Sequence, residues 1–201
     1  MLGLLLPVVL AAVAGALWVG SIAGLQRARV HWWPLALGSI ALQLILYNPP
    51  IDRQPWALTW GPWIWEACLT GLLVVCIRNG LVKEPSRGAF RLAALAVALN
   101  LCVVLANGGY MPQSPEARLA VRGIPLIADG APAQLRNVAP SGPETRLAWL
   151  TDVIPQPTWF PTANVVSVGD VVLSIALAWW AFQMLASVGR TQVRRRPSDS
   201  Y

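Results

Sequence analysis

Apolar residues in this chain fall in long blocks separated by short polar joints. Five stretches, roughly 2–25, 33–47, 60–77, 89–106 and 165–188, are largely apolar over about 15–24 residues each. A helix needs about 20 residues to cross the hydrocarbon of a bilayer, and lipid leaves no unpaired backbone group a partner. The blocks therefore predict an all-α fold: a polytopic membrane helix bundle with five transmembrane helices, one domain over residues 1–188, followed by a basic tail at 189–201. The second block is short and needs the regions around Trp33 and Asn48 to complete a span.

The one long polar joint, residues 107–163, carries nine of the seventeen prolines, so turns and extended backbone should dominate it. Two pieces of it predict local order. "IPLIADGAPAQLRNV" carries Asp129–Gly130 between mixed apolar runs, a weak hairpin signal. "SGPETRLAWLTDVI" places Ser141 and Glu144 at capping-box spacing with Pro143 at a first turn. This predicts a short surface helix with Leu147, Trp149 and Leu150 on one side and Asp152 just past its end.

Composition agrees with the blocks. Hydrophobic residues make up 56% and charged residues 12% of the chain; soluble domains carry about 25% charge. The first block has no basic residue before its apolar core, and Arg27 and Arg29 follow it, the reverse of a secretory signal. It reads as a retained first span, with Ala16, Gly20 and Gly24 on one stripe for close helix packing.

Charge gives a sidedness. Arg27, Arg29, Arg78, Lys83, Arg87, Arg91, Arg190, Arg194, Arg195 and Arg196 all fall on one face of a five-span arrangement. On the other face Arg53, Arg118, Arg122, Arg136 and Arg146 are balanced by Asp52, Glu116, Asp129, Glu144 and Asp152. Basic residues mark the cytoplasmic side, so the N-terminus and the loop 107–163 are expected outside and the C-terminus inside. The lipid bilayer is the expected partner: the basic face meets anionic headgroups. "GRTQVRRRP" comes with no nucleic-acid-binding fold, so no nucleic acid is expected. Tryptophans fit the same picture, with Trp32 and Trp33 at the inner interface and Trp56, Trp60, Trp63 and Trp65 forming an outer aromatic belt. Cys68, Cys76 and Cys102 lie in spans, and His31 is the single histidine. They form no metal set or disulfide framework, and no cofactor is expected.

Three polar residues stand out within the spans. At 1.5 Å per residue, Glu66, Asn100 and Asp170 lie about 9, 10 and 8 Å below the outer surface on three different helices. A charge facing lipid is costly, so all three should turn inward and meet. Around them, "NGGYMP" ends the fourth block: Asn107 and Gly108 suit a left-handed helix closure, Gly109 a close approach, and Tyr110, Met111 and Pro112 lead into the loop. In "SVGD", Ser167 and Asp170 share a helix face and Gly169 permits close contact beside them. The expectation is that Asp170 binds the exit of the fourth span, through the N–H groups of the glycine turn or the amides of Asn100 and Asn107. The cluster reads either as a lock between helices or as a site. In the second case Glu66 with Asp170, or Asp152 with Asp170, form a carboxylate pair with separated pKa values.

"NGGYMP", the proline-rich loop and "DVIP" followed by "VVSVGDVV" resemble, over essentially the whole chain, an uncharacterised family of small bacterial integral membrane proteins known only as a domain of unknown function. The resemblance implies a bacterial inner-membrane location and no activity. A second resemblance is to lipoprotein signal peptidases, four-span aspartic proteases, in the layout of Asp152 and Asp170; here no Gly-Asn-x-x-Asp-Arg signature exists and Ser167 stands where that pattern has Asn. The expected function is a non-enzymatic membrane component or accessory subunit of other membrane subunits. The alternatives are an outward-facing aspartate-dependent hydrolase and a proton or solute pathway through Glu66. The absence of visible repeats argues against a self-contained transporter.

Overall fold

The computed structural model describes residues 29–123, 137–160 and 163–193, with the main chain only beyond Leu185. The first apolar block with its Ala16, Gly20 and Gly24 stripe, the Asp129–Gly130 hairpin and the basic tail after residue 193 lie outside the described residues. In chain order the described α-helices are α1 (Trp33–Leu46), α2 (Pro55–Leu81), α3 (Arg87–Ala106), α4 (Pro115–Arg122) and α5 (Val168–Val193). Four short strands join them: β1 (Met111–Gln113), β2 (Val138–Pro140), β3 (Ile154–Pro155) and β4 (Val165–Val166).

Three helices are long and apolar enough to cross a membrane: α2 with 27 residues, α3 with 20 and α5 with 18 as far as Leu185. Only 28, 33 and 22% of their apolar windows are buried in the protein. Leu42, Trp60, Leu105, Ile175 and Phe182 are among the side chains that face outward. Such a surface calls for an apolar solvent, since soluble chains rarely leave large apolar patches open. Of the four expected spans that fall on described residues, three therefore remain candidates. The second block forms α1, whose 14 residues rise about 21 Å, short of the roughly 30 Å of hydrocarbon. The flanks do not extend it. Tyr47 leaves the helical region and Pro49 and Pro50 follow, which cannot continue a helix. In contrast α2 outruns the expected 60–77 at both ends, with Pro55 in its first turn, where a missing N–H is harmless.

The helices form a row. α1 packs on α2, α2 on α3, and α3 on α5. The pairs run antiparallel, as contacts at two levels fix: Gly61 meets Leu46 and Gly71 meets Leu35 of α1, Gly80 meets Arg91 of α3 while Pro62 meets Gly109 just past its end, and Gly88 of α3 meets Trp179 of α5 while Asn100 meets Gly169. The bundle is held at its other end by amides, where Asn79 donates to the carbonyl of His31 at 2.9 Å and accepts its N–H at 2.8 Å.

The main buried cluster sits where the bundle meets the long connection. Trp65, Val103 and Val104 from the helices pack with Met111 and Leu150 from the connection. Trp65 therefore leaves the expected aromatic belt: it is buried and lies edge-on to Tyr47, while Trp56, Trp60 and Trp63 remain exposed.

The connection folds into a cap. β1 lies at its centre, parallel to β2 with Met111 opposite Val138, and bridged on its other side to Asp152. There Asp152 N–H donates to Pro112 O at 3.0 Å and Ser114 N–H to Asp152 O at 2.9 Å. β3 and β4 pair antiparallel and lead into α5. The surface helix expected after Ser141 does not form. Thr145 takes the Gly142 N–H on its hydroxyl at 2.8 Å, Leu147 adopts a left-handed conformation, and only a 3-10 turn over Ala148–Leu150 follows. The cap's helix is α4, which that reading missed. Ser114 caps it through the Ala117 N–H at 3.1 Å, Pro115 opens it, and Gly123 closes it in the left-handed region.

Candidate functional site: a polar junction between cap and bundle

Asp170 has a local reason to exist. It is the third residue of α5, and Ser167 precedes the helix. The Asp170 N–H donates to Ser167 Oγ at 3.0 Å, and the Ser167 N–H donates to Asp170 Oδ2 at 3.2 Å. This reciprocal pair is a capping box, which satisfies two helix-start donors that lipid cannot serve. An acidic residue in the first turn also faces the positive end of the helix dipole.

The second reason is tertiary. Asn100, in the middle of α3, donates from Nδ2 to Asp170 Oδ1 at 2.9 Å and accepts the Ser167 hydroxyl on Oδ1 at 2.9 Å. Only one orientation of the carboxamide serves both partners, so the amide reads the serine as donor and the carboxylate as acceptor. Ser167 is fully buried. Gly169 makes the approach feasible, because a Cβ there would fall on Asn100 Oδ1. Ser174 adds a hydroxyl bond to the Asp170 carbonyl at 2.9 Å.

Glu66 does not join the cluster. In the antiparallel pairing that sets Gly80 beside Arg91 and Pro62 beside Gly109, Glu66 stands about one and a half turns from Asn100, nearer the cap. It is half-buried near Gly109 and its carboxylate has no hydrogen-bond partner among the described residues. The depth estimate took the two spans to end level, whereas α2 runs outward past the end of α3, with Pro62 already beside Gly109.

The glycine turn and Asn107 also serve another purpose than the expected one. Gly108 and Gly109 hold positive φ of 69° and 89°, whereas Asn107 does not. The Gly109 N–H caps Val104 O at 2.9 Å, and a Cβ on Gly109 would collide with Pro62. Asn107 binds the cap rather than Asp170: its Nδ2 reaches Arg146 O and its Oδ1 takes the Arg146 N–H, both at 3.0 Å. Met111 is core, while Tyr110 and Pro112 line an open surface cavity of about 330 Å³ with Pro140 and Pro143.

From the cap side comes Asp152, only 8% exposed. Its Oδ2 accepts Gln113 Nε2 at 3.2 Å, and its Oδ1 is buried without a hydrogen-bond partner. Gln113, itself buried, accepts Arg118 Nη1 on Oε1 at 3.4 Å. Burial, and then the negative charge of Asp170, push the Asp152 pKa well above the ordinary aspartate value; the Gln113 hydrogen bond opposes them. Of the two carboxylate pairs considered from sequence, Asp152 with Asp170 is the one with a described electrostatic contact. Gln113 and Arg118 were missed. A glutamine in a three-residue strand gives no periodic signal, and only the Ser-Pro-Glu start of α4 next to it marks the region as ordered. No group of three or more His, Cys, Asp or Glu able to hold a metal occurs among the described residues.

The chain matches the family of unknown function DUF5317 over residues 27–182, and it belongs to that family. No curated protein and no solved structure matches it.

Proposed function

From this family without an assigned activity, we propose a non-catalytic role: an integral component of the bacterial inner membrane, acting as an accessory subunit, with the cap outside and the C-terminus in the cytoplasm. The charge balance of the polar segments supports that orientation. One observation carries the non-catalytic reading. Both Asp170 oxygens are already engaged inside the protein, by Asn100 and by the Ser167 backbone. A general base or nucleophile has to be within hydrogen-bond reach of its substrate. Here the groups that could activate Asp170 hold a helix end in place instead.

A hydrolase reading has the proximity of Asp152 and Asp170 in its favour, since two coupled carboxylates can divide acid and base roles. The burial of Asp152 under the cap weighs against it. A proton path through Glu66 lacks, among the described residues, a second polar group joined to that carboxylate.

The test is extraction of the tagged chain in a mild detergent, followed by native mass measurement and peptide-hydrolysis assays. The subunit reading expects a defined second polypeptide at fixed stoichiometry, retained by the Asp170→Asn variant in proportion to its folded amount. A lone chain that cleaves peptides and stops doing so as folded Asp170→Asn would overturn it.

A further inference from the structure

We propose that Asp152 is a proton-binding site that sets how firmly the cap sits on α5: its carboxyl is neutral while docked, and loss of the proton loosens the junction. The inference is independent of the subunit role.

The geometry argues for it step by step. Among the described residues Asp152 Oδ2 has one neutral donor, Gln113 Nε2, and Oδ1 has none. The two residues before it are as buried as it is, Leu150 at 5% and Thr151 at 0% exposure, whereas Val153 after it turns outward at 38%. A buried carboxylate with a single neutral donor is costly, and such a group ordinarily takes up a proton instead. A neutral acid turns an orphan acceptor into a donor, which then needs one acceptor. Asp170 supplies it. Each of its oxygens accepts one described bond, while a carboxylate offers about four acceptor positions.

Among the described residues no cation bonds the Asp152 carboxylate, and the positive charge of the chain's N-terminus is the weakest of the influences on it. From α5 it faces Asp170, an anion. From α3 the junction receives Asn100, and from β1 Gln113, both neutral. From α4 comes Arg118, whose described side-chain bond is to Gln113 Oε1 rather than to Asp152. The pKa of Asp152 is raised by burial first and Asp170 second, in line with the geometry.

The sign follows. A carboxyl that binds its proton more tightly when docked than when released favours docking at low pH. That contribution is complete below the ordinary aspartate pKa and is lost as pH rises through the raised one. Above it, two like charges lie beneath the cap, and the bonds nearest them give way: Asp152 N–H to Pro112 O, Ser114 N–H to Asp152 O, and Ser167 N–H to Asp170 Oδ2.

The test uses the full chain in lipid nanodiscs. Infrared difference spectra over a pH series follow the carbonyl stretch of a protonated carboxylic acid. Hydrogen exchange, corrected for its intrinsic pH dependence, follows the amides of Ser114, Asp152 and Ser167. The expected result in the wild type is an acid band that persists above the ordinary carboxylate range. Amide protection then falls with rising pH, by up to about tenfold per unit for a one-proton transition. Asp152→Asn, neutral and of equal size, should lose the band and keep its protection at all pH values. Asp170→Asn should move the transition to lower pH. Absence of the acid band in the wild type overturns the proposal without recourse to any variant. So does an unchanged pH response in Asp152→Asn.

Discussion

The carboxamide of Asn100 donates to Oδ1 of Asp170 at 2.9 Å across 70 residues of sequence. The same carboxamide accepts the hydroxyl of Ser167, the residue that caps the helix on which Asp170 sits. Two helices, each with polar groups that lipid would penalise, thus satisfy one another at a single point. Ser167 follows directly on β4, through which the described part of the cap leads into α5.

Replacing Asn100 with Leu should destabilise the folded chain by about 2–3 kcal/mol, because the half-buried Asp170 carboxylate and the buried Ser167 hydroxyl both lose their partner. Asn100→Asp should be worse, since it sets two carboxylates face to face. Unfolding of each variant in mixed detergent micelles measures the difference.

Gly169→Ala should cost about 1–3 kcal/mol, as a Cβ there meets the Asn100 side chain and the junction must open to admit it. Gly142→Ala is the control. Nothing lies within 4 Å of its Cβ position, so the change should stay within about 0.5 kcal/mol in the same assay.

The glycine turn separates two effects. Gly108 has open space around it and a φ of 69°, so Gly108→Ala should cost only the left-handed penalty of about 1–2 kcal/mol. Gly109→Ala adds a collision with Pro62 and should cost clearly more. Equal losses in thermal unfolding would contradict this account of the turn.

Asn107→Ala removes both bonds to the backbone of Arg146 and leaves the rest of the cap in place. The Arg146 amide should exchange about tenfold faster or more, the equivalent of one bond of about 1.4 kcal/mol. The Asp170 junction should be unaffected, because Asn107 does not touch it. Peptide-level hydrogen exchange distinguishes the two regions.

Much of this molecule was legible in its sequence for a simple reason: lipid imposes long apolar helices, and α2, α3 and α5 announce themselves. The same cost, applied to polar side chains, led to the expectation that Glu66, Asn100 and Asp170 converge; Asn100 and Asp170 meet, with Ser167, and Glu66 stays apart. The second block misled because apolar composition alone does not reveal where a helix stops, and Tyr47 with two prolines stops α1 early. The capping box was sought at Ser141 and Glu144, whereas it occurs at Ser167 and Asp170. Spacing alone cannot choose between such sites; Thr145 and Leu147 divert the first into turns, and the long apolar run after Asp170 sustains the second. Asp152 was noticed as a carboxylate, but its burial depends on β1 pairing with a segment some forty residues away, a contact no local pattern encodes.

The central claim is that Asn100 and Asp170 act as one unit that locks α3 to α5. A double-mutant cycle with Asn100→Ala, Asp170→Ala and the combined variant, measured by unfolding in micelles, tests it most directly. The account expects a coupling energy of about 1–3 kcal/mol, with the double variant little less stable than the worse single one. Additive losses, with coupling below about 0.5 kcal/mol, would contradict it.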